Sequence, residues 1–305
     1  MSDIQLVTVG SIGIDTIETP TEKRERILGG SASYACAASS FFARTGMVGV
    51  VGTDFPSDYV ELYKKFGICL EGLQTEEGKT FSWSGVYHEN MDDRTTLETH
   101  LNVFEHFAPK LPAAYADVPY LFLGNIHPLL QLDVLNQVNN PKFTLVDTMD
   151  LWINISRDEL DAVVAKVDML TLNESEARLY TDKHHLLDAA PALLEKGPQY
   201  VLIKKGAHGS VLFSKSGDVF IIPAFPVRNV NDPTGAGDSY AGGLMGYLAQ
   251  QDDISDTALR NAMMYGGITA SFGVEKFSLE RLEEISMTDV EGRADIFRKM
   301  VDIPQ

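Results

Sequence analysis

The residues best suited to chemistry form one continuous string, Asn231-Asp232-Pro233-Thr234-Gly235-Ala236-Gly237-Asp238-Ser239, whose last residue opens the helical run SYAGGLMGYLAQ. Three small residues ahead of a helix let the backbone N–H groups of Gly235, Ala236 and Gly237 converge on an anion at the positive end of the helix dipole. Asp238 falls in the first turn beside that anion, where a carboxylate accepts the proton of an attacking hydroxyl. Taken together, the string offers a phosphate cradle with a general base. Glycine-rich turns with an acidic first turn also begin ordinary helices; the length of the full string argues for the cradle.

Such a site needs a scaffold. Short apolar runs recur at Ile4 to Val9, Met47 to Val51, Tyr120 to Leu123, Phe143 to Val146, Val167 to Thr171 and Tyr200 to Lys204, separated by stretches with helical spacing. This alternation predicts a parallel sheet with crossover helices, an α/β sandwich. Beyond Ser210 two closely spaced runs, Ser210 to Phe213 and Val219 to Ile222, flank the turn-like Lys215-Ser216-Gly217-Asp218 and predict an antiparallel edge. Thr80 to Val103 alternates polar and apolar residues around a loop with Asn90, Asp92 and Asp93, which predicts two lid strands over a site. Asp15 to Arg26 follows the first strand and is expected to join them. The expectation is one domain over 1–305, with lid elements at about 13–26 and 80–104 and no low-complexity linker.

Composition narrows the partners. Lys and Arg number 25 against 43 Asp and Glu, a formal net charge of −18 spread along the chain, so nucleic acid and anionic membrane are not expected. An acidic chain that handles an anionic ligand must gather positive groups, amides or metal ions in one place. Cys36 and Cys69 lie in apolar surroundings without CxxC spacing, which suggests neither a disulfide framework nor a zinc site. The N-terminus has no basic segment before its apolar run, and no stretch of 18 consecutive apolar residues occurs, so a cytoplasmic location is expected.

The string around Asp238 resembles the C-terminal signature of the ribokinase-like, or PfkB, family of carbohydrate and nucleoside kinases, and the resemblance extends over nearly the whole chain. Gly29-Gly30-Ser31-Ala32-Ser33-Tyr34-Ala35 is similar to the family's N-terminal glycine pair, which lines the acceptor. Asp15 matches the acid that binds acceptor hydroxyls. Asn173-Glu174-Ser175-Glu176 matches the NxxE motif, whose Asn and second Glu help organise metal and phosphate. Lys205-Gly206-Ala207-His208-Gly209 matches the KxGxxG nucleotide loop. Asp15 alone reads more simply as a solvated loop acid, and Asn173 to Glu176 reads equally as a helix cap.

Three positions depart from the family pattern. Tyr34 stands where Asn usually contacts the acceptor, which puts ribose in doubt. Pro233 replaces a common Thr and stiffens the turn without removing an amide that the cradle needs. Ser271 to Ser278 occupies the place of a loop that in many members holds a monovalent cation, and its poor match leaves potassium dependence open. Two other phosphate-binding patterns fail. Gly72 to Thr80 resembles a Walker A loop, but five residues separate its glycines, two acids lie inside it and a strand pattern follows. Gly10-Ser11-Ile12-Gly13 is not GxGxxG.

The resemblance implies a three-layer α/β/α sandwich with a mainly parallel central sheet and a small β lid. It implies an ATP-dependent kinase in which Asp238 is the base, the amides of Gly235, Ala236 and Gly237 hold the phosphoryl group, and Mg2+ is organised indirectly through Glu176. Asp15, Gly29, Gly30 and Tyr34 would meet the acceptor. Asn125, just past the run Tyr120 to Leu123, is a further candidate to face the acceptor, with a turn residue as the plainer reading. Asn173, Lys205, Gly206, Gly209, Thr234 and Gly237 would meet the nucleotide. A sugar-like acceptor stands first. A nucleoside is the alternative, since Tyr34, Phe81, Trp83 and Tyr87 could stack on a base, and a catalytically idle metabolite sensor is the reading from another class. Pairing of lid strands into a homodimer is a further implication of the family.

Overall fold

A computed structural model describes residues 3–91 and 93–302, so Asp92 of the expected lid loop lies outside the described residues. In chain order the strands are β1 (Leu6–Val9), β2 (Gly13–Glu18), β3 (Lys23–Gly29), β4 (Thr45–Gly52), β5 (Cys69–Glu76), β6 (Ser82–Tyr87), β7 (Arg94–His100), β8 (Tyr120–Leu123), β9 (Phe143–Asp147), β10 (Met169–Asn173), β11 (Tyr200–Lys204), β12 (Ser210–Ser214) and β13 (Val219–Ile222). Nine of these form one sheet in the order β13-β12-β11-β10-β9-β8-β1-β4-β5. All pairs are parallel except β11 with β12 and β12 with β13, the antiparallel edge that the sequence predicts.

Alternation along the strands creates two cores, one on each face. In β8, Tyr120 and Phe122 enter the core shared with helices Ser31–Ser39, Ala236–Gln251 and Asp256–Gly273. Leu121 and Leu123 enter the opposite core with helices such as Arg157–Val164. Because both faces are covered, the strands carry nearly continuous apolar side chains, and three layers result. Strand β5 is absent from the apolar-run pattern. It is an edge strand with mixed burial, and Gly72 of the Walker-like segment lies inside it.

From the β1/β8 pair the chain winds outward in opposite directions, to β4 and β5 on one side and to β9, β10 and β11 on the other. That is a topological switch point, and the crevice beyond the carboxyl ends of such strands is where open α/β sheets bind ligands. A second sheet, β3-β2-β6-β7, is built from the two segments expected as lid elements. Its outer pairs are antiparallel, whereas β2 and β6 run parallel. The main sheet and this small sheet account for the α/β class with a β lid.

Helices Ser31–Ser39 and Ala236–Gln251 lie against each other almost without intervening side chains. A Cβ at Gly242 would stand 2.2 Å from the Ala35 carbonyl oxygen, and one at Gly246 would stand 2.8 Å from Ser39. Tyr34 meets Gly235, Ala35 meets Gly242 and Ser39 meets Gly246, so the two helices run in the same direction and begin side by side. Among the described residues no helix is long and apolar enough to cross a membrane. Cys36, in the main core, and Cys69, at the start of β5, are both free thiols.

Candidate active site

The first polar residues after the parallel strands gather at one edge of the sheet. Asp147 ends β9, Asn173 ends β10 and Lys204 ends β11. Lys204 donates to Asp147 at 2.8 Å, with side-chain exposures of 15% and 7%. The other Asp147 oxygen accepts the amide of Thr148. Burial alone would lower the Lys204 ammonium, but Asp147 and then Glu176 outweigh it and hold the group charged. A Cβ on Gly237 would be 3.1 Å from Lys204 Nζ, so this cation lies beside the glycine turn.

Gly235 opens helix Ala236–Gln251 in the left-handed region, with φ 72°. A side chain there would be strained, and its Cβ would sit 2.2 Å from the Tyr34 ring. Of the three amides expected in the cradle, the structure corrects one: Ala236 N donates to the Pro233 carbonyl at 3.2 Å. The amides of Gly235 and Gly237 have no protein acceptor among the described residues. Thr234 is held locally. Its amide donates to Asp232, and its hydroxyl donates to the Tyr87 hydroxyl on β6 at 3.1 Å, joining the small sheet to the turn.

Asp238 is partly buried in the first turn of the helix. Burial raises its carboxyl to about 7, the charge of Asp147 pushes the same way, and Lys204 and Arg94 pull it down. A carboxyl poised there changes protonation near neutrality, as a general base requires. Glu176 is also raised to about 7, by burial first and then by Asp147, against Lys204. Its side chain accepts from Asn173 N at 2.7 Å while Glu176 N donates to the Asn173 side chain at 2.8 Å. The NxxE segment is therefore a capping box, and the same carboxylate faces the Asp147–Lys204 pair.

Across the cleft, Asp15 on β2 is 3% exposed and accepts the Trp83 amide at 3.0 Å. Burial raises it to about 7, the Trp83 amide opposes this and Asp232 adds to it. A Cβ at Gly29 would be 1.8 Å from the Asp15 carboxylate, so the first glycine of the pair makes room for this acid. Tyr34 is buried between the two sides. Its hydroxyl has no hydrogen-bond partner among the described residues, and its electrostatic neighbours are Asp232, Asp15, Tyr87 and Asp238. Asp15, Tyr34 and Asp238 thus share one cleft.

The other expected contacts are arranged differently. Both ends of the Asn125 amide are engaged: Trp152 Nε1 donates to it at 2.8 Å, and its own amine lies 3.1 Å from the Met149 sulfur. Lys205, Gly206 and Gly209 form the tight turn between β11 and β12, closed by Lys205 N to Gly209 O at 2.8 Å. Of the aromatics considered for stacking, Phe81 packs on Phe104, and Tyr87 packs with Ile17 and Phe277. Trp83 stays partly exposed on the same strand.

Asp147 and the pairing of Lys204 are absent from the sequence expectations. Their signal was an acid and a base directly at the ends of the apolar runs FTLVD and YVLIK. Among the described residues no three acidic or His/Cys side chains form a metal cage. Asp147 and Glu176 fit a magnesium ion that is held mostly by water and substrate phosphates. The loop expected to hold a monovalent cation fits less well. Val274 and Glu275 carbonyls accept from Asn231, and the Asp232 carboxylate accepts the amides of Thr234 and Ser278. We derive no step through such an ion.

With this geometry in place, residues 3–278 match the family described as pfkB family carbohydrate kinase. The chain belongs to that family. It is 31% identical over 252 residues to a cytidine kinase of Thermococcus kodakarensis, covering 80% of this chain and 88% of that protein. The solved nucleoside kinase of Methanocaldococcus jannaschii superposes with a TM-score of 0.76 at 20% identity, over 97% of this chain and 100% of that one. A solved E.coli structure in complex with ATP and Mg2+ superposes with a TM-score of 0.78 at 17% identity, over 96% and 99%. This pfkB family member is an ATP-dependent phosphotransferase of the sugar and nucleoside kinase type.

Proposed function

We propose that this pfkB family member phosphorylates a hydroxyl of a nucleoside, with ATP as donor and Asp238 as general base. What carries the proposal is the position of Asp238, partly buried with a carboxyl near 7 next to Lys204 and the free amides of Gly235 and Gly237. The sequence expectation put a sugar-like acceptor first. Identity with a cytidine kinase over most of both chains favours the nucleoside, as does Tyr34, which offers a flat apolar ring and one hydroxyl where the family commonly has Asn.

In the proposed reaction the acceptor lies between Asp15 and Asp238, over Gly29, Gly30 and Tyr34. As the acceptor oxygen bonds to the γ-phosphorus, its proton passes to Asp238. The bond from that phosphorus to the β,γ-bridging oxygen breaks, and its electron pair leaves with ADP. The amides of Gly235 and Gly237 and the Lys204 ammonium stabilise charge on the transferring group. The Asn173 and Glu176 segment, with Asp147, would hold Mg2+, which when bound neutralises phosphate charge. Lys205 to Gly209 and Thr234 border the nucleotide. Closure of the small sheet excludes water and limits ATP hydrolysis.

ADP formation should be measured with ATP and Mg2+ across a panel of nucleosides and simple sugars. Turnover highest with a nucleoside is the expected result. Turnover confined to sugars would return the acceptor to that class, and turnover with neither would favour a metabolite sensor and sink the assignment.

A further inference from the structure

The segment Phe272 to Ser278 is bonded to both walls of the cleft. On the phosphoryl side, the Val274 carbonyl accepts the amides of Asn231 at 2.8 Å and Asp232 at 3.3 Å, and the Glu275 carbonyl accepts the Asn231 side chain at 2.7 Å. The Ser278 amide donates to the Asp232 carboxylate, whose other oxygen accepts the amide of Thr234, one residue before Gly235. On the acceptor side, the Ser278 hydroxyl donates to the Leu28 carbonyl, directly before the Gly29-Gly30 pair. One short segment therefore sets the anion turn against the acceptor wall.

What holds this segment comes from beyond the stretch that matches the family, which ends at residue 278. Arg293, on helix Met287–Val301, lies with its guanidinium 3.3 Å from the centre of the Phe272 ring, and only 14% of its side chain is exposed. It donates to the Ser271 hydroxyl at 3.0 Å and to the Glu275 carboxylate at 2.6 Å. Arg281 donates to the second Glu275 oxygen at 2.8 Å. Burial pulls the Arg293 guanidinium down from its ordinary value, and Glu275 works against that. Enclosing a cation costs free energy unless it is paired. Forked between Ser271 and Glu275 and stacked on Phe272, this guanidinium is a fixed part of the segment.

The segment stands where many family members hold a monovalent cation through backbone oxygens. Here the Val274 and Glu275 oxygens are engaged by Asn231 and Asp232, and both Asp232 carboxylate oxygens accept amides. The positive charge beside the segment comes from side chains, Arg293 and Arg281, which converge on Glu275.

We propose that Arg293 is a positioning residue for phosphoryl transfer: acting through Glu275, it locks the Phe272 to Ser278 segment against the anion turn, in place of a monovalent cation. This rests on the kinase assignment above. Two measurements on the wild type come first, with potassium chloride replaced by tetramethylammonium chloride at equal ionic strength. Turnover should change by less than about 2-fold. The melting temperature, read without substrates, should differ by no more than about 1 °C. Arg293→Met should lower kcat by roughly 10- to 100-fold with KM for ATP and acceptor changed by no more than about 3-fold, because the turn shifts while no substrate contact is lost. Arg293→Lys keeps a charge for Glu275 and should recover part of the loss. Adding Glu275→Gln to Arg293→Met should slow the enzyme by no more than about 2-fold further, because the two residues act as one.

A potassium effect on the wild type beyond those limits would overturn the proposal, since an ion would then hold the segment. So would a folded Arg293→Met protein with normal turnover, a loss confined to KM, or losses that multiply in the double variant. If Arg293→Met does not fold, Glu275→Gln carries the test: kcat should fall by about 3-fold or more at unchanged KM, and unchanged kcat would reject the role. A wild type inactive with every acceptor would overturn the kinase assignment and this proposal together.

Discussion

In the strand-end floor of the cleft, Lys204 keeps 15% of its side-chain exposure and Asp147 keeps 7%, whereas every residue of β7 in the small sheet is exposed. The floor is assembled from β9, β10, β11 and the start of helix Ala236–Gln251, all anchored in the two cores. The small sheet rests on a minor cluster around Ile17, Tyr87 and Phe277. Charges in the floor are held by partners and starved of water, so their positions and proton affinities come with the fold. Groups on the small sheet have water as an alternative partner, and so can reorganise around a ligand at little cost. In the proposed reading the base and the amides of the glycine turn belong to the rigid part, and closure over the acceptor to the loosely held part.

The sharpest way to break this contrast is to unpair the floor. Lys204→Met leaves Asp147 buried without its partner and should destabilise the fold by about 3–5 kcal/mol, measured by urea denaturation. A loss under about 1 kcal/mol would mean that the floor is wetter than its burial implies. Next comes Asp238→Asn, which should lower kcat by roughly 100-fold or more, about 2.7 kcal/mol, while ATP affinity by calorimetry changes little. Removing a partly desolvated charge should also raise the melting temperature at pH 8. Near-normal turnover in that variant would remove Asp238 from its role.

Proton linkage tests the floor as a whole. Asp15, Glu176 and Asp238 are raised to about 7 from ordinary values near 4, so between those limits the unfolded chain is ionised while the folded one holds protons. Stability should then fall as pH rises from 5 to 8. Over the same range kcat/KM should rise through about pH 7 as Asp238 loses its proton. A melting temperature that climbs from pH 5 to pH 8 would contradict the linkage. The smallest effect belongs to the small sheet. Tyr87→Phe removes the acceptor of the Thr234 hydroxyl and should change KM by no more than about 3- to 10-fold, with a stability loss of about 1 kcal/mol or less.

Sequence made the floor only partly legible, for a physical reason. The glycine turn, Asp238 and the Asn173 to Glu176 cap use neighbouring residues, so their spacing is visible in the chain. The strands of the main sheet are visible because both faces are buried, which forces continuous apolar runs. Asp147 and Lys204 belong together only because β9 and β11 end at the same edge, and a single polar residue after an apolar run resembles any strand end. Strand β5 was missed because an edge strand needs no apolar run. The Ala236 amide was misassigned because composition does not reveal which N–H a turn consumes internally.

The direct contact of Gly242 with Ala35 and of Gly246 with Ser39 makes the backbone itself the spacer between the acceptor wall and the phosphoryl turn. Both helices start at the cleft, so the gauge between the two reactants is set one to three turns away from the reaction. Adding a single methyl at position 242 would wedge the helices apart and lengthen the path that the phosphorus must travel, without touching any group that binds or reacts. In-line transfer tolerates little such play.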